Sequence, residues 1–173
     1  MKALFLTIAL SLFSILCADD FTFSDFKSLE GTSYVQVITV GREFPEEEIP
    51  KNISPLTIAY LNNGKMEAKF TMKKEDKCEE ISLILEKTDE PKKILMYRSQ
   101  QFTCATIKLS EKKYWTLLCQ KECQDDQIGM ALLVGPNTDE NPKALRDFYD
   151  FIHREKFDDK IIFTPRQTEA VLY

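Results

Sequence analysis

A single histidine in 173 residues leaves this chain almost nothing with which to build imidazole catalysis or a histidine-rich metal site. There is no basic excess either. The 23 Lys plus Arg face 28 Asp plus Glu, for a formal charge of −5, whereas a nucleic-acid binder needs a basic face. Glycine (5) and proline (7) are too sparse for a fibrous or low-complexity chain. Beyond the N-terminal segment, no run approaches the ~20 consecutive apolar residues of a membrane span. No serine or cysteine sits in a recognisable nucleophile motif. Cys119-Gln-Lys-Glu-Cys123 has no second pair at zinc spacing. The chain is therefore not expected to be an enzyme, and no metal or cofactor is expected. What it does have is core material: 43% apolar residues, including 12 Phe and 6 Tyr, which argues against disorder. The length fits one domain better than two.

Met1-Lys2, the apolar stretch Ala3 to Leu16 and the acidic pair Asp19-Asp20 have the layout of a secretory signal peptide. Cleavage is expected after Ala18, with residues 19–173 forming a single domain outside the cell. Cys17 leaves with the leader. Cys78, Cys104, Cys119 and Cys123 remain, and in an oxidising compartment they are disulfide candidates with three pairings. Asn52-Ile53-Ser54 matches a glycosylation acceptor, but Pro55 makes it a poor one.

The prevailing period is two. Tyr34 to Val40 and Leu56 to Tyr60 read as strands, and Asn62-Asn63-Gly64 marks a tight turn after the second. Met66 to Met72 alternates strictly, and Ile81, Leu83 and Leu85 continue the pattern. Shorter runs follow at 94–96, 102–109, 114–119 and 128–134. Eight strands at this spacing predict an antiparallel sandwich or barrel.

The helical period appears late. Asn141-Pro142 reads as an N-cap with proline at the first helical position. Leu145, Phe148, Tyr149 and Ile152 then form an apolar stripe. Lys160 to Phe163 reads as one more short strand. Residues 114–118 and 128–134 are apolar on both faces, so both faces must be covered. A barrel interior can take one face and the helical stripe the other. On the early strands Leu56, Ile58, Tyr60, Met66, Ala68, Phe70, Met72, Ile81, Leu83 and Leu85 are expected to point inward. They either fill a core or line a cavity. Small Ala68 and the flexible methionines leave room for the latter.

At this point the sequence resembles the lipocalins. Glu30-Gly31-Thr32-Ser33-Tyr34 sits where that family's Gly-x-Trp motif opens the first strand. Arg42-Glu43-Phe44-Pro45, Ser54-Pro55-Leu56-Thr57 and Met66-Glu67-Ala68-Lys69 are similar to segments of the tear and von Ebner's gland branch. So are Leu85 to Pro91, Leu133-Val134-Gly135 and Thr164 to Glu169, while the leader and Ile49 to Leu56 look closest to whey lipocalins of milk. The resemblance implies an all-β fold: an eight-stranded antiparallel up-and-down barrel with one C-terminal α-helix packed outside. It also implies a cavity for a small apolar molecule, with Ile94, Met96 and Leu118 joining the residues above as its lining. Gly41 to Ser54 would be the loop over the mouth, and its carboxylates Glu46, Glu47 and Glu48 are read as a solvated face.

The chain departs from the family in three places. Ser33 replaces the motif's Trp, so Arg166 lacks the indole it would lie over, and Phe23 or Phe26 is the expected filler. The family's Thr-Asp-Tyr motif is unrecognisable around Leu109-Ser110-Glu111. In relatives a cysteine like Cys78 is bridged to the C-terminal tail, but the corresponding late position is Ala170. Cys104 and Cys119 are equidistant from a turn centred on Glu111-Lys112, and symmetric closure would bring them within bridging distance. A Cys119–Cys123 bridge is the alternative. The functional expectation is a secreted carrier of a fatty acid, retinoid or odorant-like ligand in an exocrine fluid. The alternative is a secreted nutrient or protein-binding, protease-inhibiting protein without a dedicated ligand. A homodimer and a cell-surface receptor are the macromolecular partners this reading admits.

Overall fold

Alternating side chains, tight turns and one capped helix build the molecule in the order the sequence sets out. The computed structural model describes residues 27–41, 44–45, 47, 49–74, 76–90, 93–98, 101–109, 111, 113–123, 126–155, 157 and 160–168. The leader, Phe23, Phe26 and the tail from Ala170 to Tyr173 lie outside them.

The strands are β1 (Gly31–Gly41), β2 (Asn52–Ile53), β3 (Leu56–Leu61), β4 (Lys65–Lys74), β5 (Lys77–Lys87), β6 (Lys93–Tyr97), β7 (Gln101–Lys108), β8 (Trp115–Cys123) and β9 (Asp126–Gly135). Helix α1 (Pro142–Arg154) and the short strands β10 (Lys160–Phe163) and β11 (Arg166–Gln167) follow. Neighbours in sequence pair antiparallel from β3 to β9, and β1 pairs with both β3 and β9. The sheet therefore closes on itself as an eight-stranded barrel. Strand β10 adds to β1, and β11 lies parallel to β2 beside β4.

Local chemistry explains the joints. Asn63 (φ 72°) and Gly64 (φ 73°) both adopt the left-handed conformation that the β3–β4 turn requires. Ser54 bridges the gap between β2 and β3. Its N–H donates to the Thr71 carbonyl at 2.9 Å, and its hydroxyl accepts the Thr71 N–H at 2.7 Å. That buried hydroxyl is committed to the sheet, which adds to the case against glycosylation at Asn52. In α1, Asn141 Oδ1 accepts from the backbone N–H groups of Lys143 (3.1 Å) and Ala144 (3.0 Å). With Pro142 next, this is the cap the sequence predicts.

Two apolar clusters share the wall made by β8, β9 and β1. The outer one sets Val37, Leu118, Ala131 and Leu133 against Ala144, Phe148, Phe151 and Ile152 of α1. The helix therefore turns slightly away from its predicted stripe. Phe151 is buried, while Leu145 and Tyr149 are half-buried at the rim. The inner cluster lines the barrel. A bulge at Gln36 separates Val35, which faces in, from Val37, which faces out.

Candidate functional site

The candidate site is the barrel interior, and strand register decides who reaches it. Pairing of β3, β4 and β5 puts Ile58 opposite Ala68 and Ala68 opposite Leu83. Met66 likewise lies opposite Tyr60 and Leu85. Leu56, Ile58, Tyr60, Met66, Ala68, Phe70, Leu83, Leu85, Ile94 and Met96 all belong to the inner cluster or pack against it. Ile81 and Met72 share their strand face nearer the mouth and are buried, Ile81 opposite Phe70 and Met72 opposite Ile53.

Leu118 requires a correction. Its side chain belongs to the cluster under α1, and its neighbours Leu117 and Cys119 face inward. Residues 114–118 carry apolar side chains on both faces, with Thr116 the one polar residue among them, so alternation did not choose the face. For the same reason the sequence reading missed Trp115, Leu117, Met130, Leu132 and Val134, all of which belong to the interior or pack against it. The bulge at Gln36 hid Val35, Ile38 and Val40 by breaking the period of β1.

Cys104 and Cys119 lie directly opposite on β7 and β8, with Cα atoms 4.0 Å apart, and are bridged. This is the register that the equal spacing of the two cysteines predicts, and the bridge excludes the Cys119–Cys123 alternative. Both sulfurs belong to the inner cluster, so the disulfide is part of the inner wall. Cys78 is exposed and free.

The mouth and the base differ. At the mouth, Phe44 and Ile49 of the β1–β2 connection pack against the inner cluster, while Glu47 is exposed. Glu46 and Glu48 fall outside the described residues. At the base, Ser33 is opposite Leu56, and Arg166 is exposed on β11. Gln167 Nε2 donates to the Val35 carbonyl at 2.8 Å, and the Lys27 ammonium lies 5.3 Å from the centre of the Tyr60 ring. Trp115, buried in the inner cluster, supplies an indole near the same end from a different strand.

Electrostatically the interior is quiet. No charged side chain is buried among the described residues, and they contain no cluster of metal-ligating groups. Thr106 has its hydroxyl committed to the Thr116 carbonyl at 3.0 Å. The wall offers shape and dispersion rather than directional bonds. Five inward side chains, Phe70, Leu83, Phe102, Met130 and Leu132, nevertheless keep part of their surface accessible. Outside the barrel, a separate cleft of about 200 Å³ lies between α1, the Gln36 bulge and β10. Gln36 Nε2 donates there to the carbonyls of Asn137 and Asp139, both at 2.9 Å.

Comparison with known proteins agrees with this architecture. Residues 30–169 match the model of the lipocalin / cytosolic fatty-acid binding protein family. The chain is 66% identical to late lactation protein A of Notamacropus eugenii over 98% of its length and 97% of that protein's. It is 64% identical to late lactation protein of Trichosurus vulpecula, with the same coverage. Among solved structures, one titled for the siderocalin Ex-FABP superposes with a TM-score of 0.65 at 15% identity, covering 82% of this chain and 96% of that one.

Proposed function

The chain belongs to the lipocalin family, and from that premise we propose that it is a secreted carrier holding one small hydrophobic molecule inside the barrel. Lipocalins are in general non-enzymatic carriers of such ligands. The observation that carries the reading is the partial accessibility of Phe70, Leu83, Phe102, Met130 and Leu132, which point into a closed barrel. A fully packed core would leave them none. Export through a leader cleaved after Ala18, into milk, fits the late lactation names of its relatives.

With no charged anchor in the wall, binding comes from buried apolar area. A ligand burying ~300 Å² would gain ~7 kcal/mol before association costs, which makes micromolar affinity a reasonable ceiling. Selectivity follows shape. The test is displacement of a fluorescent fatty acid from the delipidated protein. Ala68, between Ile58 and Leu83, is the one small side chain on this part of the wall. Ala68→Trp should fill the space and weaken binding about tenfold or more, a cost of ~1.4 kcal/mol. Glu47→Gln should change little. If no fatty acid, retinoid or hydrophobic dye binds the wild type, the nutritive or protein-binding reading takes its place.

A further inference from the structure

The accessible part of the barrel's inner face is a band that lies above a packed base. On β4, Met66 is fully buried beside the β3–β4 turn, Ala68 is nearly so, and Phe70, further toward the mouth, is not. The same order holds on β9, where Val134 is fully buried and Leu132 and Met130 are half-buried. On β5, Leu85 is buried and Leu83 half-buried, and nearer the mouth the face closes again at Ile81 and, on β4, at Met72. Met66 and Phe70 are four residues apart, ~13 Å along the strand, or about 10 Å along the axis of a barrel with ordinary strand tilt. The base is therefore packed up to the level of Met66 and Leu85, and free space begins above them at Ala68 and Leu83.

Trp115 occupies this packed layer. It opens β8 opposite Val134, which in turn lies opposite Val35, and none of the three is more than 5% exposed. An indole fills far more space than the aliphatic groups around it. Any smaller residue at position 115 would open the chamber downward.

We infer that Trp115 is the floor of the chamber and confines the ligand to the mouth-side part, so that the protein selects compact apolar molecules over long-chain ones. This rests on the carrier reading above. A long chain would have to displace the floor or leave its end outside the mouth, and neither buries additional apolar surface.

The experiment is a calorimetric titration of the delipidated mature protein with saturated fatty acids from hexanoate to palmitate. While the chain still lengthens into free space, each methylene should strengthen binding roughly fourfold. At the floor the series should flatten, leaving palmitate no tighter than decanoate. Trp115→Ala and the milder Trp115→Leu should both move that break to longer chains. Trp115 is the only tryptophan, so its emission should respond most to ligands that reach the break. If Trp115→Ala fails to fold, Trp115→Leu and the wild-type series decide the matter. An unbroken gain up to palmitate would overturn the floor while leaving the carrier intact. So would a folded Trp115→Leu with the wild-type break. Binding of no acid and no hydrophobic dye would remove the carrier reading and the floor together.

Discussion

The wall formed by β8, β9 and β1 is apolar on both sides, yet the two sides end in different states. Outward, Val37, Leu118, Ala131 and Leu133 meet the helix, and Phe148, Phe151, Ile152 and Phe157 are all buried. Inward, Val134 and Leu117 are equally buried, but Met130 and Leu132 are not. Hydrophobicity alone does not distinguish the faces. What differs is the partner. A helix can move until its aromatic side chains fill the groove, whereas the far side of an eight-stranded barrel stands at a distance fixed by strand number and tilt. The outer face is therefore a stability element, and the inner face is left partly unfilled.

The largest expected effect tests that division. Phe148 is fully buried at the centre of the outer cluster, so Phe148→Ala should cost about 3–5 kcal/mol in denaturant unfolding. Where the variant is still folded, its affinity for a fluorescent fatty acid should stay within about twofold of wild type, well under the 1.4 kcal/mol of a tenfold change. Leu83→Ala should show the reverse. Being half-buried, it should cost less than about 2 kcal/mol of stability, below the usual range for fully buried leucines, while binding changes measurably. Loss of binding in a folded Phe148→Ala variant would mean the two faces act as one unit.

Much of this was legible in the sequence, and the reasons differ by region. Strands such as Met66–Met72 have one apolar and one polar face, so period two yields both the strand and its orientation. The β8 and β9 segments yield the strand but not the orientation, since both faces carry apolar residues; the inward expectation for Leu118 rests on the family resemblance, and the polar Thr116 on its own face is the one local sign against it. The bulge at Gln36 cannot be read from periodicity, because one inserted residue reverses which positions face in. Its clue is the polar Gln36 itself, whose amide is needed by two loop carbonyls ahead of α1. Gly135 is similar. A Cβ there would come within 2.5 Å of the Tyr114 ring, a constraint that exists only after the hairpins have closed. The accessible interior was the least legible feature, because a cavity is a property of facing walls and no single strand encodes it.

A smaller effect sharpens the comparison by loosening the helix without touching its packing. Asn141 holds two of the first N–H groups of α1. Asn141→Ala should cost ~1 kcal/mol, and Asn141→Asp should recover most of it. Amide hydrogen exchange should accelerate in the first turn of α1, while β3 to β6 keep their protection. Equal acceleration in those strands would show that helix and barrel open together.

The smallest expected effect lies on the solvent face of β4, the opposite side of the strand from Met66 and Ala68. The Lys69 ammonium, 3.1 Å from the Glu67 carboxylate, and the Ser82 hydroxyl, donating at 3.0 Å, hold Glu67 below the ordinary glutamate range. A folded-state pKa below the unfolded one stabilises the fold fully only above the unfolded value, where both states are ionised. As pH falls through the ordinary range toward the lowered value, the unfolded chain takes up the proton first and the contribution fades. Glu67→Gln should therefore be slightly less stable than wild type at neutral pH, and the gap should close on acidification. Added salt should narrow it as well, since the pair is exposed and screened. Urea unfolding of both proteins at neutral and acid pH measures the gap. A gap that widened toward acid would contradict the sign, whereas closure would place this surface last in rank, behind the helix cap and the outer cluster.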